Sequence, residues 1–285
     1  MGIFNDSFAN KPLRLLDHTN IKTIFDQPYH ALASFAIEDA MATVVGENLA
    51  PTTIRLWTHA PTLVLGIPDS RLENLASGLH YMKHLGYDVI IRNSGGLAVL
   101  LDENVLNISF VLPNKKHLSI NEGYDLMYDF TRQLFAKEEA TILAYEIVGS
   151  YCPGDYDLSI DGKKFAGISQ RRVRDGVAIQ MYLDIAGISY ERASIVKHFY
   201  ELAKGSNDSS FTYPQVKPEV MASINELLHK DFTVQQIIDR IVTSLSGLAK
   251  EPLMTNLIEE ERPIFYRRLQ QMEKRNDMIR SILNS

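Results

Sequence analysis

Three short stretches of this chain carry residue types that do chemistry. Its single cysteine, Cys152, stands in Gly149-Ser150-Tyr151-Cys152-Pro153-Gly154-Asp155-Tyr156. Glycine, proline and aspartate at that density are turn composition, which puts the thiol on a loop. A second stretch follows closely, Asp161-Gly162-Lys163-Lys164-Phe165-Ala166-Gly167. A lone thiol near fixed positive charge ionises near neutral pH and becomes a nucleophile; its plainer alternative is a small buried hydrophobe. Side chains alternate along a strand, so Lys163 and Lys164 point to opposite faces, one able to look into a pocket while the other meets water. An inward lysine offers a cation for a carbonyl oxygen or a base for a thiol. The third stretch is Arg92-Asn93-Ser94-Gly95-Gly96-Leu97. Two glycines let the backbone approach a ligand, and N–H groups exposed there hold an oxyanion or frame the mouth of an acyl slot.

Other clusters offer less. Lys163, Lys164, Arg171, Arg172 and Arg174 make a basic strip against Asp161 and Asp175 in an acidic chain, a surface suited to an acidic protein partner or simply a charged edge strand. Among eight histidines only His80 and His84 have ligand spacing, without a third ligand, so no metal site is expected. Neither a P-loop nor a dinucleotide-binding glycine motif is present.

The elements that must position these residues follow from periodicity. His30 to Val45 reads as a helix with Leu32, Phe35, Ala36, Ala40 and Thr43 on one side, and Leu72 to Leu85 as another, ended by Gly86. Glu122 to Phe135 is a third. Strands are expected at 53–57, 62–65, 87–92, 97–101, 105–112, 143–148, 156–160, 163–171 and 173–183, with Asp161-Gly162 as a tight hairpin turn. Thr233-Val234-Gln235-Gln236 is a capping box for a helix to about Leu245, and a last helix from about Ile264 to Leu283 looks charged and mostly exposed. The break from Ser206 to Pro218 reads as a long loop. Strands joined by short turns, with helices between strand groups, give an α+β fold: a mainly antiparallel mixed sheet flanked by helices, with C-terminal helices. We expect one catalytic domain over 1–285, its core at about 30–205 and a helical segment at about 215–285 packed on it.

The totals narrow the setting. The 285 residues are 45% apolar with net charge −6, enough for a full core and unsuited to general nucleic-acid binding. A single cysteine forms no internal disulfide and suits a reducing compartment. With no basic stretch before an apolar run at Met1-Gly2-Ile3-Phe4 and no apolar run of spanning length, neither signal peptide nor membrane anchor is expected, and the location expected is cytoplasmic.

Taken together, the motifs resemble the biotin/lipoate protein ligase superfamily over about residues 30 to 190. The resemblance rests on Glu38-Asp39-Ala40, Leu63-Val64-Leu65-Gly66, the Arg92 to Gly96 turn and Asp161 to Gly167. Ile91 stands where lipoate ligases usually have a second arginine, Leu97 replaces a third glycine, and Leu101-Asp102 replaces a His-Asp pair. With Cys152 added, the pattern is most similar to the cysteine-dependent octanoyltransferases of the amidotransferase branch. That resemblance implies octanoyl transfer from the glycine cleavage system H protein to lipoyl domains of 2-oxoacid dehydrogenase E2 subunits, without cofactor or ATP. It assigns Cys152 and Lys164 to catalysis and Arg92, Ser94, Gly95, Gly96, Leu97 and Gly167 to substrate binding. By alternation Leu97, Val99, Phe165 and Ile168 are candidate walls of an acyl tunnel. The alternatives are an octanoyltransferase fed by acyl carrier protein, an ATP-dependent lipoate ligase, and a lipoyl-domain-binding protein without turnover.

Overall fold

The computed structural model describes residues 3–114, 118–205, 213–248 and 250–285. Helix α1 (Ile3–Phe8), strand β1 (Pro12–His18) and the small hairpin β2 (Thr23–Ile24) and β3 (Gln27–Pro28) open it. Helix α2 (Ala31–Gly46) leads to β4 (Thr52–Trp57), β5 (Thr62–Leu65), α3 (Leu75–His84), β6 (Asp88–Ile91), β7 (Val99–Leu101) and β8 (Val105–Pro113). After α4 (Ile120–Leu134) come β9 (Leu143–Ala144), β10 (Leu158–Ile160), β11 (Lys163–Val173) and β12 (Gly176–Asp184). The remainder is α5 (Ser189–Ala203), α6 (Ile224–Leu228), α7 (Val234–Ser246), β13 (Glu251–Met254), α8 (Glu261–Arg275) and α9 (Asp277–Leu283).

The α+β expectation holds. Eight strands form one mixed sheet in the order β13-β1-β4-β8-β12-β11-β10-β9, and β6-β5-β7 form a second, smaller one. Most neighbours are antiparallel; β1 runs parallel to both β4 and β13, and β5 to β6. One face of the large sheet packs on α1, α4 and α7, where Phe4, Phe8, Phe110 and Phe130 stack as an aromatic cluster. The other face carries α2 and the small sheet.

Several elements differ from expectation for identifiable reasons. Every residue of α2 is buried, not one side, because the helix lies between the large sheet and α8. Its two acids are neutralised internally: Glu38 pairs with Arg55 at 2.8 Å, and Asp39 with Arg171 at 2.9 Å. Strand β9 is only two residues long because the chain turns into the cysteine loop, and β11 continues to Val173, reversing at Arg174 with φ +51°. The expected last helix is broken at Asn276, whose side chain leaves the helical path to bond both the N–H and the carbonyl of Ile91 on β6. Nor is it mostly exposed, since Phe265, Leu269, Met272 and Ile279 are buried. Strands β1 and β13 were not among the expected strands. The Thr233 capping box is present, as is the 161–162 turn with φ +50° and +74°. Of the expected long loop, residues 206–212 lie outside the described residues.

Candidate active site

Sheet register builds a cavity between the two sheets. Trp57 pairs with Asn107, Asn107 with Tyr182 and Tyr182 with Gly167, so one row of side chains crosses β4, β8, β12 and β11 on a common face. Gln180 and Ser169 make part of the next row. Over this floor the small sheet contributes Val64, Val99 and Leu101, α2 contributes Phe35, and the 92–96 turn and the cysteine loop close one end. The enclosed volume is about 250 Å³.

Cys152 sits at the edge of the cavity, half-buried, on a loop with φ +45°. Its Sγ accepts the Leu97 N–H at 3.2 Å and an Arg92 Nη2–H at 3.5 Å. Arg92 is anchored in turn, since the same Nη2 donates to the Leu97 carbonyl at 2.9 Å. The cation in contact with the sulfur therefore comes from the 92–96 turn, where the sequence pointed to the lysine hairpin. Gly96 makes this approach possible. At φ +94°, a Cβ there would lie 2.4 Å from Arg92 Nη2 and 2.9 Å from Sγ. Gly95 faces open space, and a Cβ on Gly167 would meet the Tyr182 ring at 2.6 Å.

Lys164 is fully buried and Lys163 exposed, as strand alternation requires. The Lys164 Nζ pairs with Asp157 at 2.8 Å and donates to the carbonyls of Cys152 at 2.8 Å and Tyr151 at 2.9 Å. Asp157 also accepts from Ile147 N–H and the Ser150 hydroxyl. Burial raises the Asp157 carboxyl above its ordinary range, and the Lys164 charge opposes the rise. Lysine and aspartate thus pin both sides of the cysteine loop, and all three ammonium protons are committed to oxygen atoms.

Three cavity-lining residues carry a buried polar atom with no hydrogen-bond partner among the described residues: Arg92 Nε, Ser94 Oγ and the Tyr182 hydroxyl. Ser94, Gly95, Gly96, Gly167, Val99 and Ile168 line the cavity. Leu97 contributes its backbone N–H, and its side chain does not line the cavity. Phe165 belongs to the opposite core layer, under α4, and is no tunnel wall. Leu101, at the position where the resembling ligases have histidine, is a lining residue, while Asp102 is taken by Arg192 at 2.7 Å. Much of the basic strip is paired within the chain, while Lys163 and Arg174 stay exposed. Arg171 grips Asp39, Arg172 donates to the Leu118 carbonyl and Arg174 pairs with Glu47. Among the described residues no cluster of three or more metal-binding side chains occurs, and no helix is long and apolar enough to cross a membrane.

Sequence reasoning missed Asp69 and Tyr200, which hold the 92–98 segment from behind. The Tyr200 hydroxyl donates to Asp69 at 2.9 Å and accepts the Ala98 N–H, while Asp69 also accepts the Gly66 N–H. Neither residue sits in a motif, and only folding brings α5 against that turn. Burial pushes the Asp69 carboxyl up to about 6, opposed by its bonds from Gly66 and Tyr200. The folded state therefore keeps this proton longer than the unfolded chain does. Its contribution makes stability fall as pH rises from about 4 to about 6 and then level. In Tyr200→Phe one opposing bond is gone, so the decline extends to higher pH, and the orphaned Ala98 N–H costs about 1–3 kcal/mol. Thermal melts of both proteins from pH 4 to 8 test this; identical curves would show that the bond holds nothing.

Comparison with known proteins supplies the family. Residues 30–246 match the lipoyl protein ligase A/B catalytic domain. A protein of Oceanobacillus iheyensis named octanoyl-[GcvH]:protein N-octanoyltransferase is 48% identical over 97% of this chain and 99% of its own length. A Listeria monocytogenes protein named lipoyl-[GcvH]:protein N-lipoyltransferase is 40% identical over 98% and 99%. Among solved structures, a lipoate protein ligase of T. acidophilum described as putative, with bound lipoic acid, superposes with TM-score 0.65 at 15% identity, covering 92% of this chain and 95% of that one. Lipoate-protein ligase A bound with ATP superposes with TM-score 0.67 at 14% identity over the same shares. At such identities the structural matches speak for the fold.

Proposed function

This chain belongs to the lipoyl protein ligase A/B catalytic-domain family, and we propose that within it the protein is an octanoyltransferase. It moves an octanoyl group from a lysine of the glycine cleavage system H protein to lipoyl domains of 2-oxoacid dehydrogenase E2 subunits. Cys152 carries the group as a thioester, and the whole chain acts as one catalytic unit in the cytoplasm. The observation that carries this reading is a sulfur held by a guanidinium and a backbone N–H at the head of a largely apolar cavity. The names of relatives that align over nearly all of this chain support the donor and the cargo.

The chemistry balances without ATP. The Cys152 thiolate attacks the octanoyl amide carbonyl; a C–S bond forms, the C–N bond breaks, and the donor lysine leaves as an amine carrying the proton the thiol gave up. The acceptor's lysine amine then attacks the thioester, a C–N bond forms, the C–S bond breaks, and the proton given up by the amine returns to the departing sulfur. One amide replaces another. Leu97 N–H, the Arg92 guanidinium and Ser94 Oγ surround the place where oxyanion charge develops, and one such donor is worth about 3 kcal/mol. Burying the acyl methylenes, at ~0.8 kcal/mol each, contributes ~5 kcal/mol of binding. Lys164, with its protons committed, acts by fixing the loop and lending positive charge.

Intact-mass analysis after mixing with octanoylated H protein tests the reading: one octanoyl group should appear on the protein and move to an added lipoyl domain. No mass shift and no transfer would sink it. The Gly96 geometry gives a sharper check. Gly96→Ala must displace Arg92 or the sulfur, so transfer should fall on the order of 10²-fold. Gly95→Ala, with nothing nearby to strike, should leave the melting temperature where it is.

A further inference from the structure

The cavity has a mouth whose rim is chemically unlike its floor. Among the aromatic side chains that line the cavity, Phe35, Trp57 and Tyr182 are buried, whereas Tyr124 is only half-buried. Cys152, Pro153 and Gly154 reach solvent as well, so the opening lies where the cysteine loop meets the first turns of α4. Packing puts Tyr124 there. Gly123 lies against Gln170 on β11, where an added Cβ would come within 2.8 Å of the Gln170 amide. Arg172 Nη1–H donates to the Leu118 carbonyl at 2.8 Å. The start of α4 is thereby fastened to β11, and the residue after Gly123 reaches the opening.

Tyr124 is held from behind. The Tyr156 ring, beyond the cysteine in the same loop, stacks on it with centroids 4.7 Å apart and planes at 22°. The Tyr156 hydroxyl donates to Asp125 on α4 at 2.9 Å. Tyr156 thus backs one face of Tyr124, which keeps its cavity side for a guest. The surroundings are acidic, since Asp125 and Asp155 are both exposed. Burial, then the charge of Asp155, raises the Tyr124 phenol; Cys152 adds to the rise and Arg172 opposes it. An aromatic ring with carboxylates beside it attracts a cation. Deeper in, the Arg92 guanidinium at the sulfur repels one. The site therefore changes sign between its mouth and its sulfur.

We propose that Tyr124, backed by Tyr156, receives the acceptor's lysine side chain, holding its ammonium and methylene stem at the mouth before the amine meets the thioester. The inference rests on Cys152 as the acylated residue. It gives the two half-reactions different needs. The donor lysine arrives as a neutral amide, the acceptor lysine as a cation. A ring that attracts cations serves the second step more than the first. Nearer the sulfur, the Arg92 charge favours the neutral amine, the form that attacks.

The test separates the steps. Octanoyl-N-acetylcysteamine loads the purified full chain, and the isolated acyl-enzyme is mixed with lipoyl domain or with hydroxylamine, a neutral nucleophile. Intact mass reads each rate. Tyr124→Leu should raise the half-saturating lipoyl-domain concentration about tenfold, while thioester loading and hydroxylamine cleavage stay close to wild type. Tyr124→Phe, which keeps the ring, should stay near wild type in all three reactions. Asp155→Asn should weaken the acceptor about threefold, a loss that raised salt shrinks. An unchanged half-saturation in Tyr124→Leu overturns the inference, as does a phenylalanine variant no better than the leucine one. Equal slowing of all three reactions overturns it too, because the stack would then only support the loop. If Cys152 does not load, the proposed function falls and this inference with it; if it loads and Tyr124→Leu behaves as wild type, the inference alone falls.

Discussion

Cys152→Ala should eliminate transfer, by a factor on the order of 10⁴ or more, and leave the protein folded. The asymmetry follows from where the loop is held. Lys164 grips the backbone carbonyl of residue 152, not its sulfur, and Asp157 holds Ile147 and Ser150. Removing Sγ deprives Leu97 N–H and one Arg92 nitrogen of an acceptor at the edge of a cavity, a modest loss beside the stability of a full domain. The melting temperature should therefore stay near that of the wild type while the acyl-enzyme peak disappears. Residual transfer by the alanine variant, measured on isolated H protein and lipoyl domain, would mean that the amide exchange is direct and that the sulfur is a bystander.

Lys164→Ala should have the larger structural effect. It strands the Asp157 carboxylate in a buried site and leaves the carbonyls of Tyr151 and Cys152 without donors. Breaking a buried pair in this way costs about 3–5 kcal/mol, and a loosened nucleophile loop should reduce transfer on the order of 10²-fold or more. Loss of fold and loss of chemistry can be separated. Replacing both members by apolar residues, Lys164→Met with Asp157→Leu, removes the stranded charge and should recover much of the melting temperature. Transfer should not return, because the loop has lost its anchor and the site one of its two cations. A double variant that regained full activity would reduce Lys164 to a packing role.

The sequence made some of this legible and hid the rest for physical reasons. Local rules were enough for the Asp161-Gly162 turn, the alternation that sends Lys164 inward and Lys163 out, and the turn composition around Cys152. They could not show that Arg92 meets the sulfur, because 60 residues separate the two and only the docking of the small sheet joins them. They misjudged α2, since a helix packed on all sides has no polar face to reveal its orientation. Counting charges overstated the basic strip: the acid that Arg171 grips is 132 residues away in the chain. The cavity floor was invisible for a related reason. Trp57, Asn107, Tyr182 and Gly167 form a row only once the register of three strand pairs is known.

The break at Asn276 bears on the order in which this site can be assembled. Asn276 ties down Ile91, and the neighbouring Arg275 donates to the carbonyl of Arg92, the residue whose guanidinium touches the sulfur. Glu261, at the start of the same helix, pairs with Arg14 on the first long strand. A growing polypeptide thus carries its thiol out of the ribosome more than a hundred residues before the braces that aim Arg92 exist. Until that tail has folded back, Ile91 and the Arg92 carbonyl lack the partners that hold them in the finished fold.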